Sequence, residues 1–448
     1  VKKIAIYKNI LKMNDTLVIR GGNILRGNIK PQGAKNEAFQ VLAATLLTDE
    51  DVILHNLPDI LDVRNFFKIL IALGVRIEEL ETRGSYKFNA ANVHPENMES
   101  KEFNEVFSQL RGSLVVAGAM LARFGIGYLA EPGGDKIGVR PVTVHLNGFL
   151  DLGAEKYGPK ITLKYLTEEE VILNEASVTG TANIVLASVL KKEGAKKITI
   201  YNAACEPYIQ QLCAMLNSMG AKIEGARTNC ITITPVEKLG GCEHTLNPDM
   251  IEVGSLICMA VVCGDGILIE GAQFKHLGTI TMRIFKKLGV TIEERESGIY
   301  IPEHRDFSIK KPTTPGKQIR KVYDDRWPGL SPDHLSCMIV MSLFAHGSVT
   351  FDQRMFERRL LFCDILNNMG ADIVMSNYQS ATIIGSGKSR ELTGLEMSSP
   401  DIRAGMALLI AALAAEGTST IKNAHQIHRG YENIVERLTA IGADISEN

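Results

Sequence analysis

The 448-residue chain carries no excess of charge: 49 Lys and Arg stand against 51 Asp and Glu, for a net charge of −2. That balance excludes the strongly basic profile of a nucleic-acid binder, so any anion site has to be local. The eight cysteines, at 205, 213, 230, 242, 258, 263, 337 and 363, contain no CxxC pair, and most lie in apolar runs such as Ser255-Leu-Ile-Cys-Met-Ala-Val-Val-Cys263. They read as reduced, buried thiols, which leaves neither a disulfide framework nor a zinc site, and no metal or cofactor is expected. There is no uninterrupted apolar run of the roughly 18 residues that a membrane span needs. The start, Val1-Lys-Lys-Ile-Ala-Ile-Tyr-Lys8, breaks its apolar positions with lysine and has no cleavable small-residue site. The expectation is a cytoplasmic protein of at least two domains, with residues 1–12 an N-terminal extension ahead of Met13 and the strand-like Leu17-Val-Ile-Arg20.

What the chain does have is repetition. One phrase recurs six times, as Leu73-Gly-Val, Leu152-Gly-Ala, Met219-Gly-Ala, Leu288-Gly-Val, Met369-Gly-Ala and Ile441-Gly-Ala. Each closes a helix-like stretch, where glycine suits the left-handed residue that ends a helix. All but the second and last plainly open an alternating strand. A second phrase interleaves, an apolar helix ending on glycine before a strand, at Gly125, Gly194, Gly264, Gly347 and Gly417. A period near seventy is too long for solenoids and too regular for chance, so six α/β repeats in two domains of three are expected.

The last three repeats share a helix-start signal, Asn247-Pro-Asp, Ser331-Pro-Asp and Ser399-Pro-Asp. Asn or Ser is expected to cap, proline to take the first helical position and aspartate to favour the positive helix end, with simple capping the reading for Asp249 and Asp401 themselves. The first three open on Gly33-Ala-Lys-Asn, Arg111-Gly-Ser and Ser177-Val-Thr-Gly, small residues and cations suited to anionic ligands. Between them Glu131 to His145 packs three glycines and two prolines into one loop, with Asp135, Lys136 and Arg140 on it, and reads as a mobile element with stiff ends. If equivalent helix starts face the same way, Lys35, Arg111, Arg140, Asp333, Arg359, Asp401, Arg403 and Arg429 form a site for a ligand carrying carboxylate and phosphate.

Read together, Gly33-Ala-Lys-Asn, Asn56-Leu-Pro-Asp-Ile-Leu-Asp-Val, Arg111-Gly-Ser, Pro132-Gly-Gly-Asp-Lys-Ile-Gly-Val-Arg-Pro-Val-Thr-Val-His, Asn202-Ala-Ala-Cys-Glu-Pro and Ile427-His-Arg-Gly-Tyr-Glu resemble the enolpyruvyl transferases, from about Asp15 to the C-terminus. The resemblance implies a two-domain inside-out α/β barrel of six βαβαββ-like repeats, three per domain. It places a first domain at 36–247, carrying the loop 131–145, and a second at 13–35 plus 248–448. The Pro-Gly-Gly loop and the Arg-Pro-Val-Thr-Val-His run favour the branch that moves the enolpyruvyl group of phosphoenolpyruvate to the 3-hydroxyl of UDP-N-acetylglucosamine, with release of phosphate, at the first committed step of peptidoglycan synthesis. The alternatives are the sister branch acting on 3-phosphoshikimate and a noncatalytic UDP-sugar-binding homologue.

Matching motif to motif, the resemblance gives Lys35, Asn36, Arg140, Arg359, Arg403 and Arg429 to phosphoenolpyruvate. It gives Arg111, Arg140, Pro141, Val142, Thr143, Val144, Ser177, Val178, Asp333 and Met355 to the UDP-sugar. Asp135 is the implied proton donor, Asp333 the base and Lys35 a further catalytic group. The chain departs from the family pattern twice, with Asp135 in place of a loop cysteine and Glu175 in place of a lysine near the diphosphate. The first departure implies insensitivity to fosfomycin, which alkylates that cysteine. A carboxyl beside Lys136 and Arg140 titrates too low to serve as an acid at neutral pH, so either loop closure desolvates Asp135, which is the expectation, or another group such as Lys35 shares the proton transfer.

Overall fold

The helices at the centre of this molecule are apolar on nearly every side. In the computed structural model, which describes residues 15–130, 133, 141–166, 169–313, 319–389 and 391–448, every residue of the helices Met250–Cys263 and Leu335–Leu343 is buried, as is nearly all of Ile402–Ala414. A helix without a polar face has to be surrounded, and these three pack on one another. Lys35–Ala44, Val116–Phe124 and Val178–Ser188 do the same elsewhere in the chain. Burial at about 1.5–3 kcal/mol per large aliphatic side chain outweighs the modest helix propensity of Ile and Val in these segments.

Sheets lie outside these helices and alternate buried with half-exposed residues, as in Val52–His55 and Thr16–Arg20. There are six among the described residues, one for each repeat. Five share one plan of four strands, with a parallel pair at one edge followed by two antiparallel pairings. Cys242–Thr245 beside Val52–His55, and Arg320–Tyr323 beside His346–Asp352, are two of the parallel pairs. The sixth, Ile126–Tyr128, Lys160–Thr162 and Glu155–Tyr157, is antiparallel and three-stranded among the described residues. The architecture is the inside-out α/β fold of six repeats, three sheets around three helices, twice over.

The described residues of Gly33–Gly134 and Arg140–Asn247 cluster into one compact unit, and those of Ile10–Gln32 and Pro248–Asn448 into another. Each has its own core. The N-terminal strands belong to the second unit, where Leu25–Ile29 pairs in parallel with Gly264–Glu270 and Thr16–Arg20 lies between Thr418–Lys422 and Asp444–Glu447. No helix among the described residues is long and apolar enough to cross a membrane.

The glycines of the sixfold phrase have φ of 102°, 95°, 104°, 91°, 102° and 111° at 74, 153, 220, 289, 370 and 442. A side chain resists that conformation, so the periodic glycine is the backbone requirement of one turn made six times. Strands follow the second and last copies too, at Glu155–Tyr157 and Asp444–Glu447, where the sequence shows no plain alternation because their outward residues predominate. The interleaved phrase is less uniform. Gly264 is extended, with φ of −92°, and starts its strand directly, whereas Gly125 is left-handed with φ of 73°.

The helix starts bear out capping by Asp249 and Asp401 and correct the capping expected of Asn247 and Ser399. Asp249 and Asp401 are themselves the N-caps, Asp249 accepting from the Ile251 N–H and Asp401 from those of Arg403 and Ala404. Asn247 and Ser399 therefore stand two residues outside their helices, since a carboxylate satisfies the free N–H groups and the helix dipole together. Among Asn247, Ser331 and Ser399, only Ser331 caps as expected, over the short 3-10 turn Pro332–His334. Arg111 likewise opens a 3-10 turn, Arg111–Val115, ahead of the α-helix.

Candidate active site

Because Ser331 caps the second Pro-Asp turn, Asp333 is released from that duty, and its carboxylate goes elsewhere. Oδ1 lies 2.5 Å from Arg359 Nη1 and Oδ2 lies 3.1 Å from Arg403 Nε. One carboxylate thus bridges two arginines that are 4% and 5% exposed. Burial alone would raise the Asp333 carboxyl, but the Arg359 and Arg403 guanidiniums more than offset it and hold it well below the ordinary carboxylate value.

Arg359 also donates to the Pro332 carbonyl at 3.1 Å, and its guanidinium sits 4.8 Å from the Phe356 ring. Its Nε is buried with no hydrogen-bond partner among the described residues. A buried N–H of a cation without an acceptor costs stability, and an anionic oxygen is the acceptor that would satisfy it best. Arg403 is the second residue of the helix Ile402–Ala414, whose first turn Asp401 fixes, and its Nη1 donates to the Tyr431 hydroxyl at 3.1 Å. Arg429 follows the short helix His425–His428, and its Nη1 donates to Gln426 at 2.9 Å. Met355 is 41% exposed, with its N–H on Asp324 Oδ2 at 3.2 Å. The buried Asp324 also accepts from Gln353 Nε2 and the Arg354 N–H, each at 2.5 Å, so it shapes the segment that carries Met355 and leads to Arg359.

In the first unit, Lys35 is the first residue of its helix, and its ammonium lies 2.6 Å from Asp62 Oδ2, both groups being buried. Asn36 follows on the same turn and is half-buried. Arg111 donates to the Pro141 carbonyl at 3.3 Å. Pro141 and Thr143 are exposed, Val142 is half-buried as the N-cap of Thr143–Asp151, and Val144 is buried in the core. Ser177 caps Val178–Ser188, its Oγ accepting from the Gly180 N–H at 3.2 Å, so the backbone N–H groups around Val178 head that helix. Glu175 is exposed two residues earlier. Asp135, Lys136 and Arg140, and with them most of the loop 131–145, lie outside the described residues.

Three side chains that the sequence reading did not single out join these elements. Asp62 stands at the end of the Asn56-to-Val63 motif and Tyr431 inside the last motif, and in both cases only the motif string marked them. His145 is wholly buried between the segments that hold Pro141 and Ser177. The Gly118 N–H donates to Asn183 Oδ1 at 2.8 Å, so the Asn183 amide nitrogen donates to the Leu114 carbonyl at 2.8 Å and to His145 Nδ1 at 2.7 Å. That leaves the His145 proton on Nε2, 3.2 Å from Thr179 Oγ1. Burial first, and the nearby Arg111 charge second, push the His145 imidazolium down to about 3.

The model of the family EPSP synthase (3-phosphoshikimate 1-carboxyvinyltransferase) matches residues 19–438, and the chain belongs to this family of enolpyruvyl transferases. Within it, the chain is 48% identical over 437 residues to the UDP-N-acetylglucosamine 1-carboxyvinyltransferase of Bacteroides thetaiotaomicron, covering 96% of this chain and 99% of that one. It is also 48% identical over 435 residues to the protein of that name from Porphyromonas gingivalis, with the same coverage. Among solved structures, the enolpyruvyl transferase NikO from Streptomyces tendae matches with a TM-score of 0.83 at 21% identity, covering 97% of this chain and 99% of that one. An EPSP synthase from Acinetobacter baumannii matches with a TM-score of 0.74 at 18% identity, over 96% and 99%. At those identities the two structures speak for the fold.

Proposed function

We propose that this transferase moves the enolpyruvyl group of phosphoenolpyruvate to the 3-hydroxyl of UDP-N-acetylglucosamine, releasing phosphate, at the start of peptidoglycan synthesis in a bacterial cytoplasm. The relatives at 48% identity carry the acceptor in their names. The observation that carries the reading is the Asp333 carboxylate shared by Arg359 and Arg403, with Arg359 Nε still lacking an acceptor. Two guanidiniums meeting at one carboxylate set two forked cationic donors side by side, matched to a substrate with phosphate and carboxylate groups.

The reaction is an addition followed by an elimination. A proton goes to the methylene carbon of phosphoenolpyruvate as the sugar oxygen bonds to its C2 and gives up its own proton. The C2–O bond to phosphate then breaks, and a proton leaves the new methyl group to restore the double bond. Asp135 is the assigned donor in the first step and Asp333 the acceptor of the hydroxyl proton, with Lys35 supporting the transfers. Lys35, Asn36, Arg140, Arg359, Arg403 and Arg429 hold phosphoenolpyruvate. Arg111, Arg140, Pro141 to Val144, Ser177, Val178 and Met355 hold the nucleotide sugar together with Asp333, and the Val178 helix start offers N–H groups to the diphosphate where Glu175 replaces a lysine.

Asp333 as drawn is a weak base, because both guanidiniums stabilise its charge. The bound substrate resolves this: anionic oxygens that draw Arg359 and Arg403 toward themselves leave Asp333 less neutralised and therefore more basic. The test is phosphate release from phosphoenolpyruvate with UDP-N-acetylglucosamine or 3-phosphoshikimate as acceptor. Release with the nucleotide sugar alone is expected. Release with 3-phosphoshikimate alone would reassign the acceptor, and tight UDP-N-acetylglucosamine binding without release would make the chain a binding protein.

A further inference from the structure

Tyr431 is the largest of the fully buried side chains, and its hydroxyl ends in a hydrogen-bond chain that runs through the helix core of the second unit. Each proton in that chain can be assigned. Ser255 Oγ lies 3.0 Å from the Ile251 carbonyl, which only accepts, so the Ser255 hydroxyl proton points there. Ser255 Oγ is then the acceptor for the Tyr431 hydroxyl at 3.0 Å, and the Cys337 thiol donates to it as well at 3.6 Å. With its proton committed to Ser255, the Tyr431 oxygen turns its lone pair to Arg403 Nη1 at 3.1 Å. The Arg403 guanidinium carbon lies 5.4 Å from the centroid of the same ring.

We propose that Tyr431, oriented by Ser255, is a positioning residue for Arg403 in phosphoenolpyruvate binding, an inference that rests on the reaction assigned above. Asp333 holds Nε and Tyr431 holds Nη1, so two of the three guanidinium nitrogens are fixed from different sides and the third, Nη2, faces a set direction. Asp333 alone leaves the guanidinium free to pivot about that one contact once a substrate competes for it. Tyr431 does not compete, because a neutral phenol buried this deeply keeps its proton, burial pushing its titration well above the ordinary range. The chain also ties the arginine to the helices Met250–Cys263 and Leu335–Leu343 through Ser255 and Cys337, so all three core helices of the unit set its orientation.

The experiment is steady-state kinetics and binding with Tyr431→Phe, Ser255→Ala and the double variant, each checked for an unchanged folded spectrum and melting temperature. A bond between a buried neutral group and a charged one accounts for about a tenfold change or more in affinity. Tyr431→Phe is expected to raise KM for phosphoenolpyruvate about tenfold and leave KM for UDP-N-acetylglucosamine unchanged. Ser255→Ala is expected to give a smaller change of the same kind. The double variant should be no worse than Tyr431→Phe, since Ser255 acts only through the hydroxyl already removed. A wild-type KM for phosphoenolpyruvate in Tyr431→Phe, an equal rise in both KM values, or single effects that multiply would each overturn the proposal. If the wild type releases no phosphate, the assigned reaction fails, and titration with phosphoenolpyruvate still decides this point: weaker binding by Tyr431→Phe supports it and equal binding rejects it. Should Tyr431→Phe not fold, Ser255→Ala carries the same test.

Discussion

The two compact units each bury an ion pair at a helix start, and the two pairs are built in opposite senses. In the first, one cation, Lys35, meets one carboxylate, Asp62, at 2.6 Å. In the second, one carboxylate, Asp333, meets two cations, Arg359 and Arg403. The first pair holds a lysine with one carboxylate, while in the second one carboxylate is shared by two guanidiniums. Desolvation makes a buried charge costly unless it is matched, so the shared carboxylate is where an anionic substrate competes most effectively on arrival. The same three residues, Pro-Asp after Asn or Ser, give a plain cap at Asp249 and Asp401 and this bridging carboxylate at Asp333, so a motif does not fix a role until the cap is known.

The comparison is broken most directly at Asp333. Asp333→Asn keeps the shape and removes the charge, and turnover should fall by about 10²- to 10⁴-fold, as for loss of a general base. Phosphoenolpyruvate should bind the variant at least as well as the wild type, because the competing carboxylate is gone. Weaker binding, read by titration, would mean that Asp333 supports the arginines instead of competing for them. The counterpart in the first unit is Asp62→Asn. Breaking a buried pair costs about 3–5 kcal/mol, read from denaturant midpoints. No loss of stability would show that Lys35 relies on its other surroundings.

How much of this was legible beforehand follows from what each feature depends on. The sixfold glycine is a local backbone demand, so it shows in the sequence wherever the turn recurs, and the fold could be read from it. Lys35, Arg359 and Arg403 showed as cations at repeat starts or within family motifs. Asp62, Tyr431 and His145 did not, since each acts through a partner distant in sequence: Tyr431 meets Ser255 across 176 positions, which no local pattern encodes. Capping is expected of Asn247 and Ser399 as well as of the aspartates for a related reason. Asn247 and Asp249 are both good capping residues, and only the backbone geometry decides between them.

The loop offers a smaller change. Asp135→Cys replaces a carboxyl with a thiol, whose ordinary value is the higher of the two, so the acid limb of turnover should persist to higher pH, and the pH–rate profile should move up. The variant should also become sensitive to time-dependent inactivation by fosfomycin, to which the wild type is expected to be insensitive. An unchanged profile would remove Asp135 from the role of proton donor.

The smallest expected effect sharpens the contrast between a paired charge and a buried neutral base. His145 titrates at about 3 in the fold against 6.5 when free, so the unfolded chain binds its proton first as pH falls. The contribution of His145 is therefore intact above pH 6.5 and is lost progressively between 6.5 and 3, at up to about 1.4 kcal/mol per pH unit. Asp333 also has a depressed value, but an ordinary aspartate titrates at 3.8, so its contribution holds above that pH and is lost only in stronger acid. His145→Gln keeps an acceptor for Asn183 and removes the titration. Its unfolding free energy should fall less steeply than the wild type's from pH 6.5 to 4.5. His334, also buried with a lowered value, is present in both proteins and cancels in the difference. Parallel curves would mean that His145 already carries its proton in the folded state, which the Asn183 amide facing Nδ1 argues against.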